Sequence, residues 1–505
     1  MDLNCQTLPL EFNRPGCGCS ETFRVDTDII VPDTKPDILR ILDVSSHAYI
    51  AKKDLLAGHA VISGVVCFSL ICLGDDGDKS VFGISGSCDF SRTVEGEFIN
   101  TDVSVCARID VVSDGCELIN SRKALLFATL QLRLSASSTD SLNPICAIEG
   151  AQVMTQPVTS TVKRFCEEKS FTVEDTSELP DSKSAVCDVL CKSVRLGECD
   201  YKSVQNKLIL RGNLFASILY TSESMIESAE FELPFTEILD LPGLNPETGI
   251  MLDACVGNYD IGIDNDTSGI RRMVNISANV TVNISGSECI SMSVVTDAFF
   301  PRKNMQCEKR ALKLNSICAT RCDEIYIKET LSPREASTIE KVCSVTGNAR
   351  IDETHWSGDS LKIRGTVHAS MLYISLDGPD CVSVDIPFEH SLEVPEFSGG
   401  EVCAAASLLR MSYTITSAVA VEVRAAPKLC VSCEKSAELT LVTSAVLDDS
   451  PMPPRPSVLI TFAEEDDTLW NVAKHYNVAI DELCAANAIE NTAALKKGEK
   501  LIIPT

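Results

Sequence analysis

A block opening on proline recurs three times, and that recurrence dictates a modular fold. It reads Val31-Pro32-Asp33-Thr34-Lys35-Pro36-Asp37-Ile38-Leu39-Arg40-Ile41-Leu42 first. It returns as Leu179-Pro180-Asp181-Ser182-Lys183-Ser184-Ala185-Val186-Cys187-Asp188-Val189-Leu190. The third copy is Ser332-Pro333-Arg334-Glu335-Ala336-Ser337-Thr338-Ile339-Glu340-Lys341-Val342-Cys343. The prolines lie 148 and then 153 residues apart. Apolar residues follow at matching offsets: Ile38, Val186 and Ile339, then Ile41, Val189 and Val342. Three-residue spacing after a proline predicts a short helix near the start of each copy.

Two further blocks carry the same period. Leu208-Ile209-Leu210-Arg211-Gly212 through Tyr220 matches Leu361-Lys362-Ile363-Arg364-Gly365 through Tyr373. Apolar or small residues alternate with mostly polar ones along the later copy, the pattern of a half-buried strand. The first copy carries Ile62-Ser63-Gly64-Val65, with Gly64 148 residues before Gly212. Glu232-Leu233-Pro234-Phe235 recurs as Asp385-Ile386-Pro387-Phe388, each followed by a further proline, Pro242 and Pro395. The first copy lacks this block, with Cys88-Asp89-Phe90 only a loose counterpart, and so counts as diverged. Alternation over Asn275–Ser285 predicts a long strand with one wet face, and the shared parity of Met411, Tyr413, Ile415, Val419, Val421 and Val423 predicts another. The expectation is a mainly β protein. After an N-terminal segment (1–20) come three tandem β-rich units at 21–150, 151–305 and 306–445, each a β-sandwich or partly open barrel.

Composition supplies enough apolar material for several cores, at 45% of 505 residues. The net charge of -28 disfavours phosphate backbones and anionic lipid as partners, and 5% aromatics disfavour base stacking. Met1-Asp2-Leu3-Asn4-Cys5 opens without a basic or apolar leader, and no apolar run approaches the length of a membrane span, about 18 residues. Retention in the cytoplasm is therefore expected. The 24 cysteines are scattered, often inside apolar runs such as Val65-Val66-Cys67-Phe68. They are expected as buried free thiols, with late oxidative cross-linking of an assembled coat as the alternative.

Four prolines between Asp448 and Ser457 predict an extended linker at 446–457. The pattern then becomes β-α-α-β over 458–505. Val458–Phe462 reads as a strand, and Asp467-Thr468 offers an N-cap. Leu469, Val472, Ala473 and Tyr476 share one helical face. Asn477 ends that helix, Asp481-Glu482-Leu483 begins a second, and Lys500–Pro504 closes the module.

Asp467-Thr468-Leu469-Trp470-Asn471-Val472-Ala473, Tyr476-Asn477-Val478, Asn487 and Lys497-Gly498-Glu499-Lys500-Leu501-Ile502-Ile503-Pro504 resemble a LysM domain. The resemblance implies binding of glycans that contain N-acetylglucosamine. The groove would be formed by Asp467, Thr468, Leu469, Asn487, Ala488 and Ile489. Where that family usually has glycine before the Asp-Thr pair, this chain has Asp466, within an acidic run Glu464-Glu465-Asp466-Asp467. Added charge and a lost glycine suit a basic protein partner better than a sugar.

The Gly-x-x-x-Ala-Ser-x-Leu-Tyr strands at Gly212–Tyr220 and Gly365–Tyr373, with the later Pro-Phe strands, look like SPOCS domains. SPOCS repeats ahead of a C-terminal LysM resemble the clostridial spore coat morphogenetic family over about residues 20 to 505. That resemblance implies a scaffold in the mother-cell cytoplasm, at the forespore surface. It would bind the coat-basement ATPase of stage IV sporulation, partly through its LysM, and tether the coat. Two alternatives stand beside it: a glycan-binding protein of cortex or cell wall, and a LysM-targeted wall hydrolase.

No constellation for the last is visible. The six histidines (47, 59, 355, 368, 390 and 475) are scattered, and no Gly-x-x-x-x-Gly-Lys is present. Cys430-Val431-Ser432-Cys433 with Cys17-Gly18-Cys19 could supply four zinc ligands, set against free thiols in loops. Asp264–Gly269 opens like a calcium loop, but its twelfth position is Asn275, so a hairpin turn is expected. Asn275, Asn279 and Asn283 open Asn-x-Ser/Thr triplets, read as the wet face of a strand. No catalytic residue, cofactor or metal is assigned.

Overall fold

The computed structural model describes all residues except 1–2, 14–17, 78–79, 97–98, 100–104, 137–138, 224, 334–337, 395–399, 449–455, 457, 491–493 and 505. Beneath the uneven sequence similarity lies one six-stranded plan, used three times. Unit 1 is β3 (Gly18–Ile30), β4 (Ile38–Leu56), β5 (His59–Gly74), β6 (Val81–Glu95), β7 (Val105–Asn120) and β8 (Lys123–Ala136). Short strands flank it: β1 (Cys5–Thr7) and β2 (Leu10–Asn13) before, β9 (Thr139–Leu142) and β10 (Ile145–Ile148) after. Unit 2 is β11 (Gln152–Glu178), β12 (Asp188–Val204), β13 (Lys207–Thr221), β14 (Ile226–Asp240), β15 (Gly249–Asn265) and β16 (Arg271–Phe299). Unit 3 has its first strand broken in two, β17 (Asn304–Glu324) and β18 (Ile327–Leu331), which together count as the first, followed by β19 (Ile339–Ser357), β20 (Ser360–Ser375), β21 (Gly378–Glu393), β22 (Gly400–Ser417) and β23 (Ala420–Asp448).

Every pairing is antiparallel. The second, third and fourth strands of each unit form a meander (β4-β5-β6, β12-β13-β14, β19-β20-β21). The first and fifth strands flank the last: β3-β8-β7, β11-β16-β15, and in unit 3 β17, β18 and β22 around β23. Alternating side chains fill the space between the two sheets, as Leu126, Leu130, Ile62 and Phe68 do in unit 1 and Leu210, Leu214, Val280 and Val282 do in unit 2. Full burial of each such side chain stabilises by roughly 1.5–3 kcal/mol. This is the mainly β fold expected, and among the described residues the two helices are confined to the C-terminal module.

Several local expectations fail for one reason. No helix follows Pro32 or Pro180. Lys35 N donates to Pro32 O (2.9 Å) and Lys183 N to Pro180 O (2.8 Å), closing turns, and strands begin soon after. The third block falls partly on residues outside those described, but its Ile339 and Val342 are likewise in a strand. In the first and third copies the three-residue spacing comes from a β-bulge, the register shifting between Ile38 and Arg40 and between Ile339 and Lys341, whereas in the second copy Val186 still lies in the turn ahead of β12. Each bulge inserts one residue and turns a period of two into three. Phe90 is the true register equivalent of Phe235 and Phe388, since it pairs with Gly64 as they pair with Gly212 and Gly365. Met411–Val423 is two strands joined by a turn after Ser417. Strand β23 runs to Asp448, into the expected linker, most of which lies outside the described residues.

The three units close into a ring. β6 packs on β12, β14 on β19 and β21 on β4, so the fourth strand of each unit meets the second strand of the next. Contacts repeat with the period. Arg40 Nη2 donates to Pro379 O (3.5 Å) and Lys341 Nζ to Ile226 O (2.8 Å), at equivalent donor and acceptor positions. Asp188, the third member of the donor set, instead accepts from Lys35 Nζ (2.5 Å). Ile71, Leu219 and Leu372, one position in three copies, share a buried cluster at the centre. Beyond the units the first and last strands continue as two-stranded ribbons, β1/β10 and β2/β9, β11/β16, and β17/β23. Leu10, Val158, Val294, Leu314 and Leu441 pack these ribbons together as a stem.

Candidate functional site

The C-terminal module stands on that stem. β24 (Leu459–Phe462) and β25 (Lys500–Ile503) pair antiparallel, with α1 (Leu469–His475) and α2 (Ile480–Asn487) on one face. Thr468 caps α1, its hydroxyl accepting from Asn471 N at 3.2 Å. Leu469, Val472, Ala473, Leu483, Leu501 and Ile503 form a core that also takes in Phe299 from the end of β16.

The predicted groove residues do come from two neighbouring loops, but most of them build the module. Leu469 is only 6% exposed. Asn487 Nδ2 donates to Leu483 O (2.8 Å) and Ile502 O (2.7 Å), while its Oδ1 accepts from Ile502 N (2.6 Å), so it staples α2 to β25. Asp467 Oδ2 accepts from Glu464 N (2.9 Å) and closes the acidic loop. Ala488 ends α2 in the left-handed region at φ 51°, and Ile489 leans on the core. Thr468 and Ala488 are the exposed members. Asp466 sits at φ 76°, which explains why glycine suits that position.

Sequence reasoning missed the seat of the module. Trp470 Nε1 donates to Asp297 Oδ2 (2.8 Å), and Lys474 Nζ reaches both carboxylate oxygens (2.6 and 2.7 Å). Lys309 Nζ lies 2.8 Å from the same group. Burial pushes the Asp297 carboxyl up, but hydrogen bonds from Lys309, Lys474 and Trp470 outweigh it and hold the group down at about 2. Phe299 meets the Trp470 ring edge-on at 5.1 Å, and Arg302 pairs with Glu482 at 3.1 Å. The one available signal was Asp297 alone in the apolar run Val294–Phe300. A second missed feature is the outer face of the β24/β25 ribbon. Val458, Ile460, Phe462 and Ile502 are 68, 42, 62 and 43% exposed there, next to the acidic loop.

The zinc idea fails in the geometry. Cys430 lies on β23 and is disulfide-bonded to Cys322 on β17, so it is not a free loop thiol. Cys433 is three residues on, hence on the opposite face and in the core. Cys19 is on β3, and Cys17 lies outside the described residues. Among the described residues no group of three or more His, Cys, Asp or Glu could hold a metal ion. Asp264–Gly269 is the hairpin turn expected, with Asp266 Oδ1 accepting from Ser268 N (2.8 Å) and Ile270 N (2.9 Å).

Comparison with known families assigns both kinds of domain. "SipL, SPOCS domain" matches residues 186–264 and 338–416, and "LysM domain" matches 464–504. The chain carries two SPOCS segments and a C-terminal LysM domain. Each SPOCS match spans the second to fifth strands of its unit, β12–β15 and β19–β22, and stops short of the strands that build the stem. Unit 1 has the SPOCS topology without a family match. No curated protein and no solved structure matches the chain. The domain types fit a sporulation-related protein with a glycan-binding class of module. No helix among the described residues is long and apolar enough to cross a membrane.

Proposed function

We propose that this SPOCS-plus-LysM protein is a non-enzymatic scaffold of spore coat assembly. It works in the mother-cell cytoplasm at the forespore surface, binds the coat-basement ATPase partly through its LysM module, and tethers the coat. The observation that carries this reading is the exposed strip Val458, Ile460, Phe462 and Ile502 beside Glu464-Glu465-Asp466-Asp467. An apolar strip rimmed by acids is the surface an amphipathic basic protein segment would cover. The clamp on Asp297 supports the same reading, because a rigidly seated module presents that strip in a fixed direction.

Affinity capture from sporulating cells tests it. The wild-type chain should enrich a coat ATPase, and Phe462→Glu, on a largely exposed position, should lose it while the module stays folded. Failure of the wild type to enrich any such ATPase sinks the proposal. The alternative, glycan binding at Thr468 and Ala488, rests on the exposure of both loops. Titration with peptidoglycan fragments or chitin oligomers separates the two, since a scaffold should bind them weakly.

A further inference from the structure

We propose that the cleft between units 1 and 2 binds a short neutral saccharide. At each junction a side chain from the second strand of one unit reaches a backbone carbonyl on the fifth strand of the next. Arg195 Nη1 donates to Leu409 O (2.6 Å) while stacking on Phe215, and Arg350 Nη1 donates to Val112 O (3.3 Å). The residue 148 positions before Arg195 is His47, whose Nε2 lies 2.7 Å from Gly257 O. Where this shorter side chain replaces the arginine arm, a cavity of about 520 Å³ lies beside Gly257. Cavities of this size hold small ligands.

Its floor is the wet face of β11 and β16, where Ser170, Thr172, Ser277, Asn279 and Thr281 stand at alternate positions. Its walls are two bulges, at Ile50–Lys52 of β4 and Val256–Tyr259 of β15. Bulges leave backbone polar groups outside the ladder, where a ligand can use them. The buried or partly buried charges are already matched. Arg108 pairs with Asp110 (2.9 Å) and with Asp253, and Glu168 with Lys53 (2.6 Å). The remaining lining charge, Asp260, is 83% exposed and lies 3.6 Å from Lys192 Nζ, so no cluster of like charge is present to hold a phosphate or a metal cation. An apolar ligand would strip water from the hydroxyls and amides of the floor at about 1–3 kcal/mol for each group left unpaired. A neutral ligand rich in hydroxyls exchanges those bonds instead, and the Tyr49 and Ile109 side chains offer apolar surface to a sugar ring.

Asn283 closes the floor row at one end. It continues the floor row two residues beyond Thr281 and is 9% exposed. Its Nδ2 donates to the carbonyl of Ala107, a lining residue, at 3.2 Å, and its enclosed Oδ1 has no partner among the described residues.

Hydrogen exchange read by mass spectrometry on the full chain tests the site, with cellotriose, maltotriose and tri-N-acetylchitotriose as probes and inorganic phosphate as control. At least one saccharide should protect residues 275–283 and 105–109 saturably. Asn279→Leu, with an unchanged melting temperature, should weaken that binding at least about tenfold, the equivalent of one good hydrogen bond. Thr281→Val, a near-isosteric change, should weaken it in the same direction if Asn279→Leu fails to fold. The proposal is overturned if no saccharide protects these segments, or if protection is confined to 464–490. It also falls if phosphate protects them equally, or if both folded variants bind like wild type.

Discussion

Phe90 lies directly across from Gly64 in the register of β5 and β6, with its ring over the bare backbone. A methyl group added at Gly64 would sit 2.2 Å from Tyr49 O and 2.6 Å from Phe90 Cζ. Gly212 with Phe235 and Gly365 with Phe388 repeat the arrangement. The glycine lets an aromatic ring close the bend of the meander, and the pair is the most faithful signature of the repeat.

Gly64→Ala and Gly212→Ala should therefore differ. At Gly64 the nearest obstacle is backbone, which cannot move aside, and a loss of about 3 kcal/mol is expected. At Gly212 the nearest atoms are the Phe235 ring edge (2.7 Å) and Cys199 Sγ (2.8 Å), side-chain ends that can shift, so about 1 kcal/mol is expected. Denaturant melts of the two variants read the difference directly, and equal losses would contradict it.

Asp297→Asn should free the LysM module from the stem. It leaves the Lys309 and Lys474 ammonium groups without their carboxylate, a cost of about 1–3 kcal/mol. Exchange protection of Trp470–Lys474 should fall while that of the ring stays unchanged. Because the folded carboxyl titrates at about 2, below the ordinary value of about 3.9, the clamp is complete above about pH 4. It is lost as pH falls toward 2.

Asp43→Asn should stabilise the protein at neutral pH. Asp43 is enclosed at the junction of units 1 and 3, where burial and the nearby Asp114 raise its carboxyl against the pull of the Ser370 hydroxyl (2.9 Å) and His368. Cys116, Cys191 and Cys381 also face it. A raised folded value means that its contribution is whole below the ordinary carboxylate range and is lost as pH rises through the raised value. The amide should gain about 1 kcal/mol near pH 7 and nothing near pH 4, so melting temperature against pH should flatten.

Asp466→Gly should stabilise the LysM module by about 1 kcal/mol, since only glycine adopts φ 76° without steric cost. Leu469→Ala should cost about 2–5 kcal/mol and melt so small a module, because Leu469 is core. Thermal melts of the two variants, followed by Trp470 fluorescence, report both effects. Leu469 is for that reason a poor probe of binding, and Thr468 or Phe462 a better one.

The sequence by itself determined the repeat period, the strand-rich class and the whole LysM module, because alternation, capping and turn chemistry act between residues close in the chain. It misjudged the block after each proline, since a bulged strand and a helical turn share three-residue spacing and differ only in what pairs across from them. It could not tell that Phe90 matched Phe235 and Phe388, because register lies between strands. The ring, the stem, the Asp297 clamp and the cleft beside His47 were decided by tertiary structure alone. They join residues more than a hundred positions apart, and no local pattern in the chain records which distant surface a side chain will meet.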